Sequence, residues 1–358
     1  MRVLHMIPDI SVSNGVMSVI LNYAKAMPSE IKFDVVYFAE KEKTRQADIE
    51  ALGGKVYKVN PPSPKDLLTG KMNGFFSKHM NEWDALHIHC PHFAVFIAPY
   101  AKRAGIKNIF VHCHTTEFSL QGNGRRNQLL SLYAKYFIKD KFACSNEAGR
   151  LWYGNKAFKI INNAVDCDKF IYDDAVRHDV RKQMDLENSF VVGHIGKTDI
   201  PQKNHPFIFK VFAEIKKKNS NSKLVLIGAE ETVQTSELCK TLNIKDSVMY
   251  LGMRDDINQL LQACDVFLFP SISEGLPVSV IEAQAAGLSV VMSDAVTKEV
   301  CVTDLVKIKS LADNEEEWCK ACLDASETAR RDTSEILSQK GWNIYQNAEI
   351  LVDFYSRS

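Results

Sequence analysis

The sequence predicts two doubly wound α/β domains in tandem, and three observations carry that expectation. Short runs rich in Val, Ile and Phe alternate with longer amphipathic stretches. The short runs are apolar throughout rather than alternating, as strands of a parallel sheet covered on both faces must be. The alternation is interrupted once, by a polar and charged stretch over 166–188, and then starts again. A chain of 358 residues gives each half the length of an ordinary domain with its own core.

In the first half the strand pattern falls at 3–7, 33–38, 55–59, 85–89, 108–112, 142–144 and 159–161. Helical periodicity lies between, at 16–27, 43–52, 65–82, 93–104, 126–139 and 146–153. After the connection, strands are expected at 190–194, 224–227, 248–251, 266–269, 290–292 and 306–308. The accompanying helices are expected at 204–218, 232–242, 256–263, 278–287, 314–330 and 333–354. Pro61, Pro62, Ser63 and Pro64 make a stiff loop. Two such sheets place a cleft between domains, with ligands at the carboxyl ends of the strands.

The 44 basic residues balance 44 acidic ones, which excludes the basic excess of a dedicated nucleic-acid binder. No apolar run nears the roughly 18–20 residues that span a bilayer. The opening MRVLHMIPDI is a strand followed by Pro and Asp, not a secretion signal. Nine cysteines, mostly within apolar runs, fit buried thiols in a reducing compartment better than a disulfide framework. These features lead one to expect a soluble, cytoplasmic chain.

Two loops carry the densest chemistry. In the first, a buried strand ends in Ser271-Ile-Ser-Glu-Gly-Leu-Pro277, and Pro277 suits the first position of a helix. Gly275 permits close backbone approach, and free amides around Leu276 and Val278 offer an anion site at the helix start. Glu274 precedes those amides and Glu282 lies on the helix behind them, where a carboxylate can accept hydrogen bonds from a ribose diol. In the second loop, Gly193 to His205, Lys197 and Lys203 follow another strand and can neutralise a diphosphate. The plainer alternatives are an ordinary acid-stabilised helix start and two solvated lysines.

Lys197 and Lys203, Leu251-Gly-Met-Arg-Asp-Asp256, Glu274-Gly-Leu-Pro277 and the spacing of Glu274 and Glu282 together resemble glycosyltransferase family 4. The resemblance is nearest to the enzymes of bacterial capsular and extracellular polysaccharide synthesis. It extends to Ala143-Cys-Ser-Asn-Glu-Ala-Gly149, Ile161-Asn-Asn-Ala-Val-Asp166 and Gln284-Ala-Ala-Gly287. It implies a GT-B fold, with an acceptor-side domain over 1–165 and a nucleotide-sugar domain over 166–341. The C-terminal segment 342–358 would cross back to the first domain. It also implies retaining transfer from a nucleotide-sugar donor, UDP-linked, to a glycan or lipid-linked acceptor. Glu274 would contact the sugar, Glu282 the ribose, and Gly275 and Leu276 the diphosphate. Gly252, Met253 and Arg254 would border the base, and His114 would stand near the donor sugar. No cofactor or metal is expected, because the lysines and helix amides carry the leaving-group charge.

The chain departs from the family pattern at Lys197, usually Arg, and in the N-terminal loop. There the pattern of two glycines and a Glu reads Asn14, Gly15 and Met17. Asn tolerates a left-handed backbone, which would preserve the loop.

Histidines 87, 89, 112 and 114 fall at two strand ends. Alternate strand residues share a face, so each pair offers half a zinc site, with no third ligand at motif spacing. His114 is the reactive candidate, with His89, His112 and Glu117 behind it. His112 is assigned to the opposite face of its strand and to a stabilising role. Asp166 and Asp168 spell a metal-binding D-x-D, but their position follows the metal-free domain exit of the family. Cys319 and Cys322 have no second pair and are read as structural.

Basic and aromatic residues interleave over 125–141, and more weakly over 65–83 with Leu67, Leu68, Met72, Phe75 and Phe76. Either stretch is an ordinary packed helix or a contact with the inner, anionic membrane surface. Two other functions stay open on sequence: a nucleotide-sugar epimerase of the same architecture, and a non-catalytic partner subunit.

Overall fold

The computed structural model describes residues 1–12, 14–40, 43–63, 71–118 and 123–357. It forms two compact units, one of Met1–Ala164 with Asn343–Ser358 and one of Val165–Trp342.

The first unit carries a seven-stranded sheet in the order β3-β2-β1-β4-β5-β6-β7. In sequence order these are Arg2–Asp9, Lys32–Ala39, Val56–Lys58, Ala85–Ile88, Asn108–Cys113, Asp140–Ala143 and Lys159–Ile160. The second carries six, ordered β10-β9-β8-β11-β12-β13. Those are Phe190–Ile195 (β8), Ser222–Ile227, Val248–Tyr250, Val266–Phe269 (β11), Val290–Ser293 and Val306–Lys309. Each strand pair is parallel. In both sheets the order reverses beside the first strand, so β1/β4 and β8/β11 are the switch points at which open α/β sheets take ligands.

The core of the second unit joins Val192, Leu224 and Leu268 of the sheet to Ile208, Phe212 and Trp318 of the covering helices. Cys319 and Cys322 belong to it, and burial pushes both thiols up. That places the C-x-x-C pair in the core.

Two expectations need correction. The stretch 166–188 is not a plain connection: it holds helices Cys167–Phe170 and Asp174–Gln183. The second docks through arginines. Arg177 donates to the Gln262 and Cys264 carbonyls (2.7 and 2.8 Å), and Arg177 and Arg181 both pair with Asp265. Hydrophobic periodicity does not register such a face. The helical pattern over 333–354 is broken into Ser334–Gln339 and Ile344–Tyr355. Gly341 sits between them at φ +79°, a conformation that ends a helix. Asn343 then caps the last helix, its side chain accepting from the Tyr345 amide at 2.9 Å. That helix lies on the first sheet, where the Tyr355 hydroxyl meets His87 Nδ1 at 2.6 Å.

Candidate active site

In the second unit, the loops after β8 and β11 are hydrogen-bonded to each other. The Ile272 amide donates to the Gln202 carbonyl at 2.8 Å, and Asn204 Nδ2 to the Pro270 carbonyl at 3.1 Å. Asn204 adopts the left-handed conformation (φ +58°) that starts the next helix, His205–Lys218. This brings Lys203 Nζ to 2.8 Å from Glu274 Oε1 and 5.0 Å from the centre of the Phe269 ring. The two site residues thus neutralise one another before any substrate arrives. Gly196 is required beneath them, because a Cβ there would come within 2.9 Å of the Lys203 side chain and 2.8 Å of His194 Nε2. His194 is buried, bonded through Nδ1 to the Leu268 carbonyl at 2.9 Å, and burial holds it neutral. Lys197 is partly buried in the same loop. Its neighbour Thr198 ties that loop to the next strand end through the Glu230 carbonyl, at 2.7 Å.

Glu274 makes a parallel bridge with Val296 before the chain enters helix Val278–Ala285. Pro277 is the N-cap rather than the first helical residue, and no side chain caps the amides that follow. Gly275 and Val278 are partly exposed, Leu276 is buried, and Gly275 keeps out of the left-handed region. The arrangement presents bare N–H groups and a positive helix end beside Lys203, which suits a phosphate. Glu282 lies one turn in. Burial raises its pKa to about 7, partly opposed by the charge of Lys169. The helix is anchored by a residue that sequence reasoning valued only as part of a motif. Buried Gln284 donates to the Val280 and Val300 carbonyls (3.0 and 2.7 Å) and accepts from the Val302 and Thr303 amides (3.1 and 2.9 Å).

Gly252, Met253 and Arg254 follow β10, at the edge of the same strand-end row. Gly252, at φ +60°, exchanges bonds with Ala229 and Gly228 (3.0 and 2.7 Å), while Met253 is 49% exposed. Arg254 grips Asp256 with two bonds, at 2.8 and 2.5 Å.

In the first unit, Asn14 does not use a left-handed backbone. It is extended (φ −76°) and caps helix Gly15–Ala26, accepting from the Val16 and Met17 amides at 3.0 and 3.2 Å. Met17, at the position of the family's acid, is fully buried. The loop survives as a helix cap, and its side chain turns into the core. Asp166 likewise caps a helix, accepting from the Lys169 amide at 3.3 Å.

The histidines are closer together than their spacing indicated. His112 and His114 lie on the same face with ring centres 4.0 Å apart, so the assignment of His112 to the opposite face fails. Residues two apart on a strand always share a face. A fifth histidine joins them: His5 Nδ1 lies 2.9 Å from His89 Nε2, although 84 residues away in sequence. His89 Nδ1 lies 2.9 Å from His114 Nε2, and His114 Nδ1 lies 3.2 Å from Asn163 Oδ1. An amide oxygen can only accept, so His114 carries its proton on Nδ1. The same polarity then runs back to His5. Burial lowers the pKa of His114 to about 4, keeping the ring neutral. Glu117 is exposed. His5 and Asn163 were invisible to local spacing; only the β1–β4 register, which sets His5 opposite His87, reveals the first.

Helix Gly124–Phe137 is inverted. Its buried face holds Asn127, Ser131 and Ala134, while Leu129, Leu132, Tyr136 and Phe137 are exposed beside Arg125 and Arg126. The other candidate is an ordinary packed helix where it is described: Met72 and Phe76 are buried in Lys71–Lys78. Leu67 and Leu68 lie outside the described residues. Among the described residues, no helix is long and apolar enough to cross a membrane.

The chain is similar in sequence and in fold to known glycosyltransferases. Residues 189–327, which hold both loops, match the model for glycosyl transferases group 1. The whole chain aligns with the putative glycosyltransferase EpsF of Bacillus subtilis, 26% identical over 100% of this chain and 97% of that one. An Escherichia coli UDP-Gal:alpha-D-GlcNAc-diphosphoundecaprenol alpha-1,3-galactosyltransferase is 28% identical over 60% of this chain and 58% of its own. Among solved structures, Anabaena Alr3699/HepE in complex with UDP and glucose superposes with a TM-score of 0.79 at 18% identity, each chain wholly covered.

Proposed function

We propose that this chain, a glycosyltransferase of the GT-B fold, moves a sugar from a UDP-sugar to a lipid-linked or glycan acceptor in cell-surface polysaccharide synthesis, with retention. The observation that carries the reading is the Lys203–Glu274 pair at the β8/β11 switch point, beside an uncapped helix start and ahead of Glu282. In this reading the diphosphate lies on the amides around Gly275 and Leu276, with Lys203 and Lys197 neutralising it. Glu282 takes the ribose hydroxyls, and Glu274 the sugar. Gly252, Met253 and Arg254 border the base. Lys197 gives a point charge where the usual Arg would give a planar fork.

The step breaks the bond between the anomeric carbon and the β-phosphate oxygen. The acceptor hydroxyl attacks from the same face and passes its proton to the departing phosphate. Lysines and amides stabilise that phosphate, so no metal enters the step. His114, neutral, is the first unit's own candidate for a part in the transfer.

A lipid-linked acceptor is supported by the name of the Escherichia coli relative and by the inverted helix Gly124–Phe137. An exposed apolar stripe flanked by arginines suits the surface of an anionic bilayer, with the chain resting on the cytoplasmic face.

The test is a thermal-shift panel of UDP-, GDP-, dTDP- and ADP-sugars, followed by transfer from the best donor to a lipid-diphosphate-linked sugar. Stabilisation by UDP-sugars above the others, and a product with the donor's anomeric configuration, support the reading. A donor whose sugar is isomerised without any acceptor makes the chain an epimerase instead.

A further inference from the structure

The five histidines of the first sheet close on one small pocket. Helix Gly15–Ala26 covers it with Val19, Ile20 and Tyr23, and the last helix with Leu351 and Tyr355. The pocket's volume is about 10 Å³, room for a single ion or water. Three buried ring nitrogens at this place, Nε2 of His5, His87 and His112, have no hydrogen-bond partner among the described residues. A buried polar atom left bare is destabilising, and three around one pocket call for a common partner.

The inner trio has the chemistry of a ligand set. Ligand nitrogens of His5, His87 and His89 lie within 4.8 Å of one another, and all three side chains are buried. His87 has its Nδ1 fixed by the Tyr355 hydroxyl at 2.6 Å while Nε2 stays bare. One nitrogen held and the other offered is how a metal-bound imidazole is oriented. A second trio, His89, His112 and His114, has the same spacing, but only His112 in it has a bare nitrogen, against His5 and His87 in the first. Three imidazoles without carboxylates suit a borderline ion and not Mg²⁺ or Ca²⁺, which want oxygen.

We propose that His5, His87 and His89 bind one Zn²⁺ ion inside the first domain, as a stabilising ion outside the sugar-transfer step. The ion takes the place of the His5–His89 hydrogen bond, the proton on His5 Nδ1 moving to its bare Nε2, and ties β1 to the end of β4.

The experiment uses the full chain, stripped with EDTA and desalted, then titrated with ZnCl₂ against a chromophoric chelator. One tight equivalent, a rise in Tm on zinc addition, and the visible absorption of Co²⁺ in a nitrogen-ligand site support the proposal. His87→Gln should weaken zinc binding by on the order of 100-fold, and Tyr355→Phe by roughly 10-fold through loss of the supporting hydrogen bond. A wild-type chain that takes up no tight equivalent and gains no Tm overturns it and leaves a water in the pocket. So does undiminished zinc binding in a His87→Gln variant whose circular dichroism is native. The wild-type titration decides the matter even where the variants fail to fold.

Discussion

Glu282→Gln should make the free protein more stable and nucleotide binding worse. Burial raises the carboxyl from its ordinary value of 4.5 to about 7, so the folded state disfavours the charge. A raised acid pKa contributes stability below the unfolded value and loses it as pH climbs through the folded one, here between about 4.5 and about 7. At about 1.36 kcal/mol per unit, the 2.5-unit difference (7 minus 4.5) sets a ceiling of about 3 kcal/mol at pH 8. Partial exposure reduces that, and a gain of about 1–2 kcal/mol for the glutamine is expected at pH 8, with little or none at pH 4. Binding should move the other way. Only the carboxylate can accept both ribose hydrogen bonds, and it is about nine-tenths ionised at pH 8 but about one-tenth at pH 6. UDP affinity should therefore fall roughly tenfold over that interval through this group alone. The glutamine variant should bind UDP more weakly at pH 8 by about 1.5–3 kcal/mol, and keep only the pH dependence of the phosphate itself. Denaturant melts at pH 4 and 8, with UDP calorimetry at pH 6 and 8, measure all of this. A variant no more stable at pH 8, whose UDP affinity varies with pH as the wild type's does, would refute the reasoning.

Lys203→Ala should weaken UDP binding by about 1.5–3 kcal/mol, whereas Glu274→Ala should leave it unchanged or tighter, because it frees the ammonium group, while turnover collapses. Equal loss of UDP affinity in both variants would show that their roles are not divided in this way. His114→Ala should lower kcat by on the order of 10²-fold with UDP affinity untouched, and His112→Ala should lower Tm more than turnover; steady-state kinetics and UDP titration decide. Transfer should survive EDTA in the assay, and a loss restored by Mg²⁺ or Mn²⁺ would overturn the metal-free handling of the phosphate. Leu129→Glu with Phe137→Glu should abolish sedimentation with anionic vesicles while sparing UDP binding, since both side chains are exposed; unchanged sedimentation would remove the helix from the membrane argument.

The central strands were legible because they are buried on both faces and so had to be apolar runs. Helices that dock by other means were not. Asp174–Gln183 holds the segment leading into the central strand β11 with guanidinium groups on backbone carbonyls and on Asp265, and its sequence reads as a polar linker. The break at Gly341 was hidden for a different reason: Ser334–Gln339 and Ile344–Tyr355 both have helical periodicity, and only the left-handed glycine separates them.

The same distinction holds in the site. Glu274, Gly275 and Glu282 are set by one short strand–loop–helix unit, so local spacing could place them. The Lys203–Glu274 ion pair joins loops about 70 residues apart, and no spacing rule yields it. The histidines show the limit most clearly. Period two alone puts His112 beside His114, yet the ring that completes the cluster, His5, enters from a strand 84 residues before His89. What fixes that neighbour is the parallel register of β1 on β4, which pairs His5 with His87. Strand order is the missing quantity. Once the doubly wound order places β1 between β2 and β4, a histidine in the middle of the first strand must meet the histidines of the fourth. The helices that cover the face then bury that meeting, and neutral imidazoles with bare nitrogens follow from the topology rather than from any motif.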